Sequence, residues 1–357
     1  MELEGEMPTS TVVTCMGESL IDFVPLHAPG QSESAFGTGE SKPEDQTEVL
    51  PEGAMSTDFR MCSGGSIFNV AVGLARLGQH AAFAGKIAED FLGHHLLSTL
   101  KTEGVDTRFL TTAKAQSTLA FVTMEEGTPV FSFYGEGTAD TLLTADDVPE
   151  SLYQETGILH VGSVSLLRGT TPATVLATVE RLKGKALLSL DPNIRADLIH
   201  DEPVYRALLQ RLIALTDILK LSDVDLAWLL PGVSMEESLL HLCGLGPALV
   251  IVTQGEKGVL ARSSSSDTLQ VPTFPVPVMD TVGAGDAFCA GVLAWLADEA
   301  ITSRERVQAL SEQELRSTLI FASAVAALNC SRVGANPPRR SEVEQFLKKA
   351  LVLRNDL

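Results

Sequence analysis

The chain is short of the residues that several specialised classes require. Five cysteines (Cys15, Cys62, Cys243, Cys289 and Cys330) are odd in number and sit in apolar contexts, with no Cys-x-x-Cys pair. That spacing argues against a disulfide framework and a zinc site, and it predicts free thiols in a reducing compartment. Basic residues are also few, 26 Lys and Arg against 46 Asp and Glu, for a net charge of −20. Nucleic-acid binders need clustered cations to displace counterions, so no nucleic-acid partner is expected. No apolar run reaches the roughly 18–20 residues of a membrane span, so no membrane partner is expected either. The opening MELEGEMPTS is acidic, the reverse of a secretory signal, and predicts a soluble cytoplasmic protein. Asn329-Cys330-Ser331 matches a glycosylation sequon and is read as coincidence. The fingerprints GxxxxGK[ST], GxGxxG and GxSxG are all missing, which leaves a P-loop, a nicotinamide dehydrogenase and an α/β-hydrolase unsupported.

The sequence nevertheless has ample core material: 357 residues, 45% of them hydrophobic. Val12 to Pro25 reads as a buried strand. The polar stretch over 28–58 reads as an exposed connection. Gly64 to Gly78 has apolar residues at helical spacing and a terminal glycine stop. A short strand at Ala81 to Ala84 and a helix from Asp90 to Glu103 follow. The runs 118–124 and 128–134, separated by Glu125-Glu126-Gly127, read as a hairpin. From Ile158 onward strands and helices alternate, with strands at 159–167, 186–194, 218–226 and 248–255. Helices are expected around 172–184, 202–215 and 235–244, then Ala287 to Asp298 and Leu315 to Leu328. Alternation of this kind implies an α/β fold: a mostly parallel sheet flanked by helices, one domain over 10–345. The hairpin interrupts it and predicts a small β lid drawn from segments near 23–60 and 106–140.

Three motifs carry chemistry. In Asp280-Thr-Val-Gly283-Ala284-Gly285-Asp286, small residues lead into a helix start. Outward-pointing amides and the positive helix end make an anion hole suited to a transferring phosphoryl group. Asp286 can serve as an N-cap or as a general base. In Gly64-Gly65-Ser-Ile-Phe-Asn69, the glycines admit a close ligand and Asn69 offers a donor and an acceptor. Asp22 ends the first strand, where open α/β sheets bind ligands, although a turn would explain it as well.

The two glycine motifs, in this order and separation, resemble the signature segments of the ribokinase-like carbohydrate kinase family. The resemblance runs from Gly17 to about Pro338 and includes 159–167, 191–195, 220–225, 252–258 and 332–338. The pair LHVGSVSLL and DPNIR is most similar to the fructokinases. The family implies a three-layer α/β/α fold with a small lid, and transfer of the ATP γ-phosphate to a primary hydroxyl of a neutral sugar, fructose first. By position it implies Asp22, Gly64, Gly65, Asn69 and Arg195 at the sugar, and Asp286 as base. The amides of Gly283, Ala284 and Gly285 would form the anion hole. Lys220, Ser222, Thr253, Gly255 and Gly258 would lie at the nucleotide. Asp225 would stand near Mg²⁺ where many relatives have Glu, and Asp280, Val282 and Gly334 would hold a monovalent cation such as K⁺. A homodimer through the lid is a further expectation. Gly135 stands where kinases of 2-keto-3-deoxygluconate carry a carboxylate-binding Arg, and Glu136 beside it would repel an acid. Rival readings are a kinase of 2-keto-3-deoxygluconate, ribose or a nucleoside, and a catalytically silent sugar-binding sensor.

Overall fold

A computed structural model of the chain describes residues 11–25, 58–125, 128–264 and 266–355. Nearly all of the connection expected over 28–58 lies outside them. In chain order the strands are β1 (Val12–Met16), β2 (Leu20–Pro25), β3 (Phe59–Gly64), β4 (His80–Ala88), β5 (Asp106–Ala113), β6 (Thr118–Glu125) and β7 (Thr128–Tyr134). They continue with β8 (Thr156–Gly162), β9 (Leu187–Asp191), β10 (Ile218–Ser222), β11 (Leu249–Thr253), β12 (Val259–Ser263) and β13 (Leu269–Val271).

Nine strands form one sheet in the order β13-β12-β11-β10-β9-β8-β1-β4-β5. Every neighbouring pair from β11 to β5 is parallel, and β12 and β13 add an antiparallel edge. Because successive side chains point to opposite faces and helices cover both, the central strands are largely apolar on both faces. In β11, Leu249 and Ile251 join the core beneath helices Ser66–Arg76, Ala284–Asp298 and Glu312–Cys330. Val250 and Val252 join the core on the opposite face, against helices Thr171–Leu182, Glu202–Leu215 and Met235–Leu245. The result is three layers. Among the described residues no helix is long and apolar enough to cross a membrane.

The second sheet has the order β3-β2-β6-β7 and carries a cluster of aromatic rings, with Phe23 stacked on Phe121 at 4.7 Å between centroids. Four expectations need correction. Val12 to Pro25 is two strands in two different sheets, broken at Gly17, whose amide bonds Ala84 at 3.0 Å. The turn frees Glu18 from both ladders. The strand expected at 159–167 ends at Gly162 and continues as a 3₁₀ turn, Ser163–Leu166. The strand expected over 218–226 stops at Ser222, because Ser222 and Asp225 form a capping box that starts a helix at Asp223. Finally, residues 106–113 form the edge strand of the large sheet rather than part of the small one. Their register with β4 is set by apolar Phe109, which is buried.

Candidate active site

Helix Ala284–Asp298 begins at Gly283, which adopts a left-handed conformation with φ of 71°. A Cβ there would also stand 2.6 Å from the Ala335 Cβ, so glycine is required by both backbone and space. Of the three amides expected in the anion hole, that of Ala284 turns back to the Thr281 carbonyl at 3.2 Å. The amides of Gly283 and Gly285 make no hydrogen bond among the described residues. They lie at a helix start, where such donors are ordinarily left over.

Asp286 is the third residue of this helix, with Gly283 at the cap position and no side-chain cap. Its carboxylate turns inward instead and is only 7% exposed. The Ser66 hydroxyl donates to Oδ1 at 2.6 Å and Asn69 Nδ2 donates to Oδ2 at 2.8 Å. Both donors sit in the first turn of helix Ser66–Arg76, which follows Gly64-Gly65. Asn69, expected at the sugar, is therefore placed on the carboxylate. Ser66 was missed in the sequence; its signal is its position as first helical residue after a glycine pair.

Asp22 lies on β2 beside Gly64 of β3, and any Cβ at Gly64 would overlap the Asp22 carboxylate. Burial, then the charge of Asp286, pushes the Asp22 pKa up to about 6, with Arg195 pulling the other way. Arg195 itself is exposed. Gly65 holds φ of 105° at the helix cap. Beneath this region lies Glu18, fully buried. Its carboxylate accepts from the amides of Ile67 and Ser165, each at 3.3 Å, and so joins the helix after the glycine pair to the turn after β8. Burial raises its pKa to about 7 against the pull of its own amide and that of Ile67, and Asp140 and Asp286 add repulsion. Sequence reading passed over Glu18 because a Glu in an apolar segment is ordinarily a solvated exception.

A cleft of about 610 Å³ opens at the start of the same helix as Asp286. Thr253, Gly255 and Gly258 line it together with Ala284 and Gly285, which brings the expected nucleotide residues to the anion-hole end of the helix. Phe274, Pro275 and Val276, which no motif announced, supply apolar walls together with Phe288. Lys220 is buried and pairs with Asp191 at 2.7 Å. Its ammonium lies against the backbone of the anion hole: a Cβ on Gly285 would stand 2.9 Å from Nζ. Burial disfavours the ammonium, but Asp191 outweighs it and holds the Lys220 pKa above its ordinary value.

Asp225 is committed to the protein: Oδ1 accepts from the Ile194 amide at 2.7 Å, and Oδ2 from Ser222 N and Oγ at 2.9 and 2.7 Å. Ser222 is likewise spent on this cap rather than turned to the cleft. Among the described residues no group of three or more His, Cys, Asp or Glu could hold a metal ion. Asp280 bridges two loops, accepting from Val282 N at 3.0 Å and Gly334 N at 2.8 Å. Asn329 reinforces the same junction, donating to the Val282 carbonyl and accepting from Asn336 N, both at 2.9 Å. Asn329 is fully buried, so the sequon is internal.

A buried carboxylate thus stands next in the helix to Gly285, which lines the cleft, with two unbonded amides and the Lys220 ammonium close to the same helix start. Such a group can take a hydroxyl proton while the donors face the charge of a phosphoryl group in flight. Comparison with known proteins agrees with that chemistry. Residues 43–342 match the pfkB family carbohydrate kinase. The chain is 36% identical over 308 residues to a fructokinase of Rhizobium leguminosarum bv. trifolii, covering 86% of each chain. Among solved structures it resembles a fructokinase from Xylella fastidiosa with bound ATP, with a TM-score of 0.83, 27% identity, and coverage of 96% of this chain and 99% of that one. It also resembles a fructokinase double mutant from Vibrio cholerae O395 in a fructose-, ADP- and potassium ion-bound form, with a TM-score of 0.76, 26% identity, and coverage of 95% and 98%. The match spans most of the chain in sequence and in fold, and the protein therefore belongs to the pfkB family of carbohydrate kinases, as an ATP-dependent sugar kinase.

Proposed function

We propose that the protein phosphorylates fructose at its carbon-6 hydroxyl, giving fructose 6-phosphate and ADP, with Asp286 as the base. The observation that carries this reading is the Asp286 carboxylate, buried at the start of the helix that borders the cleft and fixed by Ser66 and Asn69. Each carboxylate oxygen has two lone-pair sites, so the two protein donors leave room for a substrate hydroxyl. That hydroxyl loses its proton to Asp286 as its oxygen attacks the γ-phosphorus, and the bond from the γ-phosphorus to the β–γ bridging oxygen breaks. The amides of Gly283 and Gly285, with Lys220 behind them, face the charge that develops. Asp22, Gly64, Gly65 and Arg195 would surround the sugar, and Thr253, Gly255 and Gly258 the nucleotide.

Fructose is favoured because the Rhizobium and Xylella relatives are fructokinases and the Vibrio structure holds fructose. Buried Gly135 and exposed Glu136 also fit a neutral sugar better than an acid. The silent-sensor alternative would be expected to have lost Asp286 or a glycine of its motif, and all are present. Mg²⁺ would ride on the nucleotide phosphates with its own waters, since Asp225 is buried and both its oxygens already accept from Ile194 or Ser222. A potassium ion beside Asp280, Val282 and Gly334 draws its support from the Vibrio neighbour. The small sheet would serve as lid and dimer surface, with Tyr134 62% exposed on it. The five unpaired cysteines fit a reducing compartment such as the cytoplasm. The test is ADP release with MgATP against fructose, glucose, ribose, adenosine and 2-keto-3-deoxygluconate. Fructose should give the highest kcat/KM; a higher value on another acceptor would replace it.

A further inference from the structure

A second, much smaller pocket adjoins the sugar side. It is lined by Thr118 and Gly135 of the small-sheet region, Asp140, Arg168 and Leu198, and its volume is about 20 Å³. Thr118 pairs with Leu20 on β2, while Asp22 pairs with Ala120. Thr118 therefore lies one strand over and two residues along from Asp22, about 8 Å away and on the same face of the sheet. Leu198 comes three residues after Arg195, and Val164 and Leu167 follow β8, so the pocket opens where the parallel strands end and ligands bind.

Its polar groups are unequally satisfied. Asp140 is buried and accepts from the Thr118 hydroxyl at 2.5 Å, and Thr118 and Thr138 hydroxyls lie 2.6 Å apart. Arg168 makes no hydrogen bond or ion pair among the described residues, and its Nε is buried without a partner. A half-buried guanidinium with unused donors is costly unless something completes it. The space admits about one water-sized group, which excludes a carboxylate and suits a single hydroxyl. A site with an Arg donor and an Asp acceptor also suits a hydroxyl, which can give and take a hydrogen bond at once.

We propose that Arg168 is a specificity-determining residue that, with Asp140, binds the carbon-1 hydroxyl of fructose, the primary hydroxyl farthest from the one phosphorylated. This deepens the fructose reading and rests on it. Gly135 acquires a second role here: its small size leaves open the pocket that Arg168 borders.

The experiment is steady-state kinetics with saturating MgATP on fructose and 1-deoxyfructose, which keeps the carbon-6 hydroxyl, for wild type and Arg168→Met. Wild type should lose 10- to 100-fold in kcat/KM on 1-deoxyfructose, the range for a charged hydrogen bond. Arg168→Met should lose a similar factor on fructose, mostly in KM, and should treat the two sugars within about threefold of each other, since the donor that told them apart is gone. A variant that keeps the wild-type discrimination overturns the inference. If that variant does not fold, wild type alone decides: equal use of both sugars overturns the inference, and a loss of tenfold or more sustains it. A wild-type enzyme idle on fructose overturns the fructose reading and this inference together.

Discussion

In the proposed site, the end assigned to the nucleotide and the end assigned to the sugar would recognise their ligands by different means. The nucleotide end is a cleft of about 610 Å³ whose contacts near the helix start are backbone amides and glycines. The end assigned to the sugar is assembled from two sheets and the turns between them, and it concentrates carboxylates withdrawn from solvent, Glu18 and Asp140 buried and Asp22 half-buried. Backbone recognition tolerates side-chain change and titrates at no ordinary pH. Recognition by buried carboxylates is selective but tied to their ionisation and to the exact space around them. Specificity and pH sensitivity should therefore reside at the sugar end, and shared phosphoryl chemistry at the other.

Paired glycine substitutions break this comparison most sharply. Gly64→Ala drives a methyl into Asp22, the end of a short, packed side chain, and should lower kcat/KM for sugar by about 100-fold, the worth of a lost charged hydrogen bond. The dissociation constant for ATP, read by calorimetry, should stay within about threefold, because no nucleotide contact changes. Gly285→Ala meets the Lys220 ammonium, whose long stem can move, and should lower kcat by only about tenfold. Equal effects of the two variants on both ligands would erase the distinction.

The pH dependence sharpens it further. In the proposed sugar contact, Asp22 accepts hydroxyl hydrogen bonds on both oxygens when ionised and loses part of that capacity when protonated, and its pKa stands at about 6. As pH falls through 6 the carboxylate protonates, so kcat/KM for sugar should fall roughly tenfold per unit below that point, while ATP affinity does not follow the same limb. A smaller effect concerns stability. The Glu18 pKa rises from 4.5 to about 7 on folding, so between those values the folded chain holds more protons than the unfolded one. Stability then decreases as pH rises through that window, by roughly 3 kcal/mol for this group. Urea titrations from pH 4.5 to 7.5 should show this decline, and Glu18→Gln should flatten it.

Sequence pattern made the geometry at the helix start after Gly283 more legible than the arrangement around Asp22, for a physical reason. An anion hole at a helix start is local: Gly283 to Asp286 are consecutive, and their spacing carries the geometry. The alternation of strand and helix gave the large sheet in the same way, because each strand's apolar run is contiguous. Contacts made across the chain left no such trace. Ser66 meets Asp286 across 220 positions, and Glu18 meets Ser165 across 147. Asn329 looked like a sequon because nothing nearby in sequence reveals that it ties Val282 to Asn336. Val12 to Pro25 read as one strand because both halves are apolar. Only the partners, β4 and β8 for one half and β3 and β6 for the other, divide it.

The account turns on Asp286 standing where the two ends meet, and the most direct measurement is fructose-dependent ADP release by Asp286→Ala, with ATP binding measured on the same preparation. The account predicts a loss of roughly 10²–10⁴ in kcat with ATP affinity and melting temperature close to wild type. Turnover within threefold of wild type would contradict it, whatever the sugar.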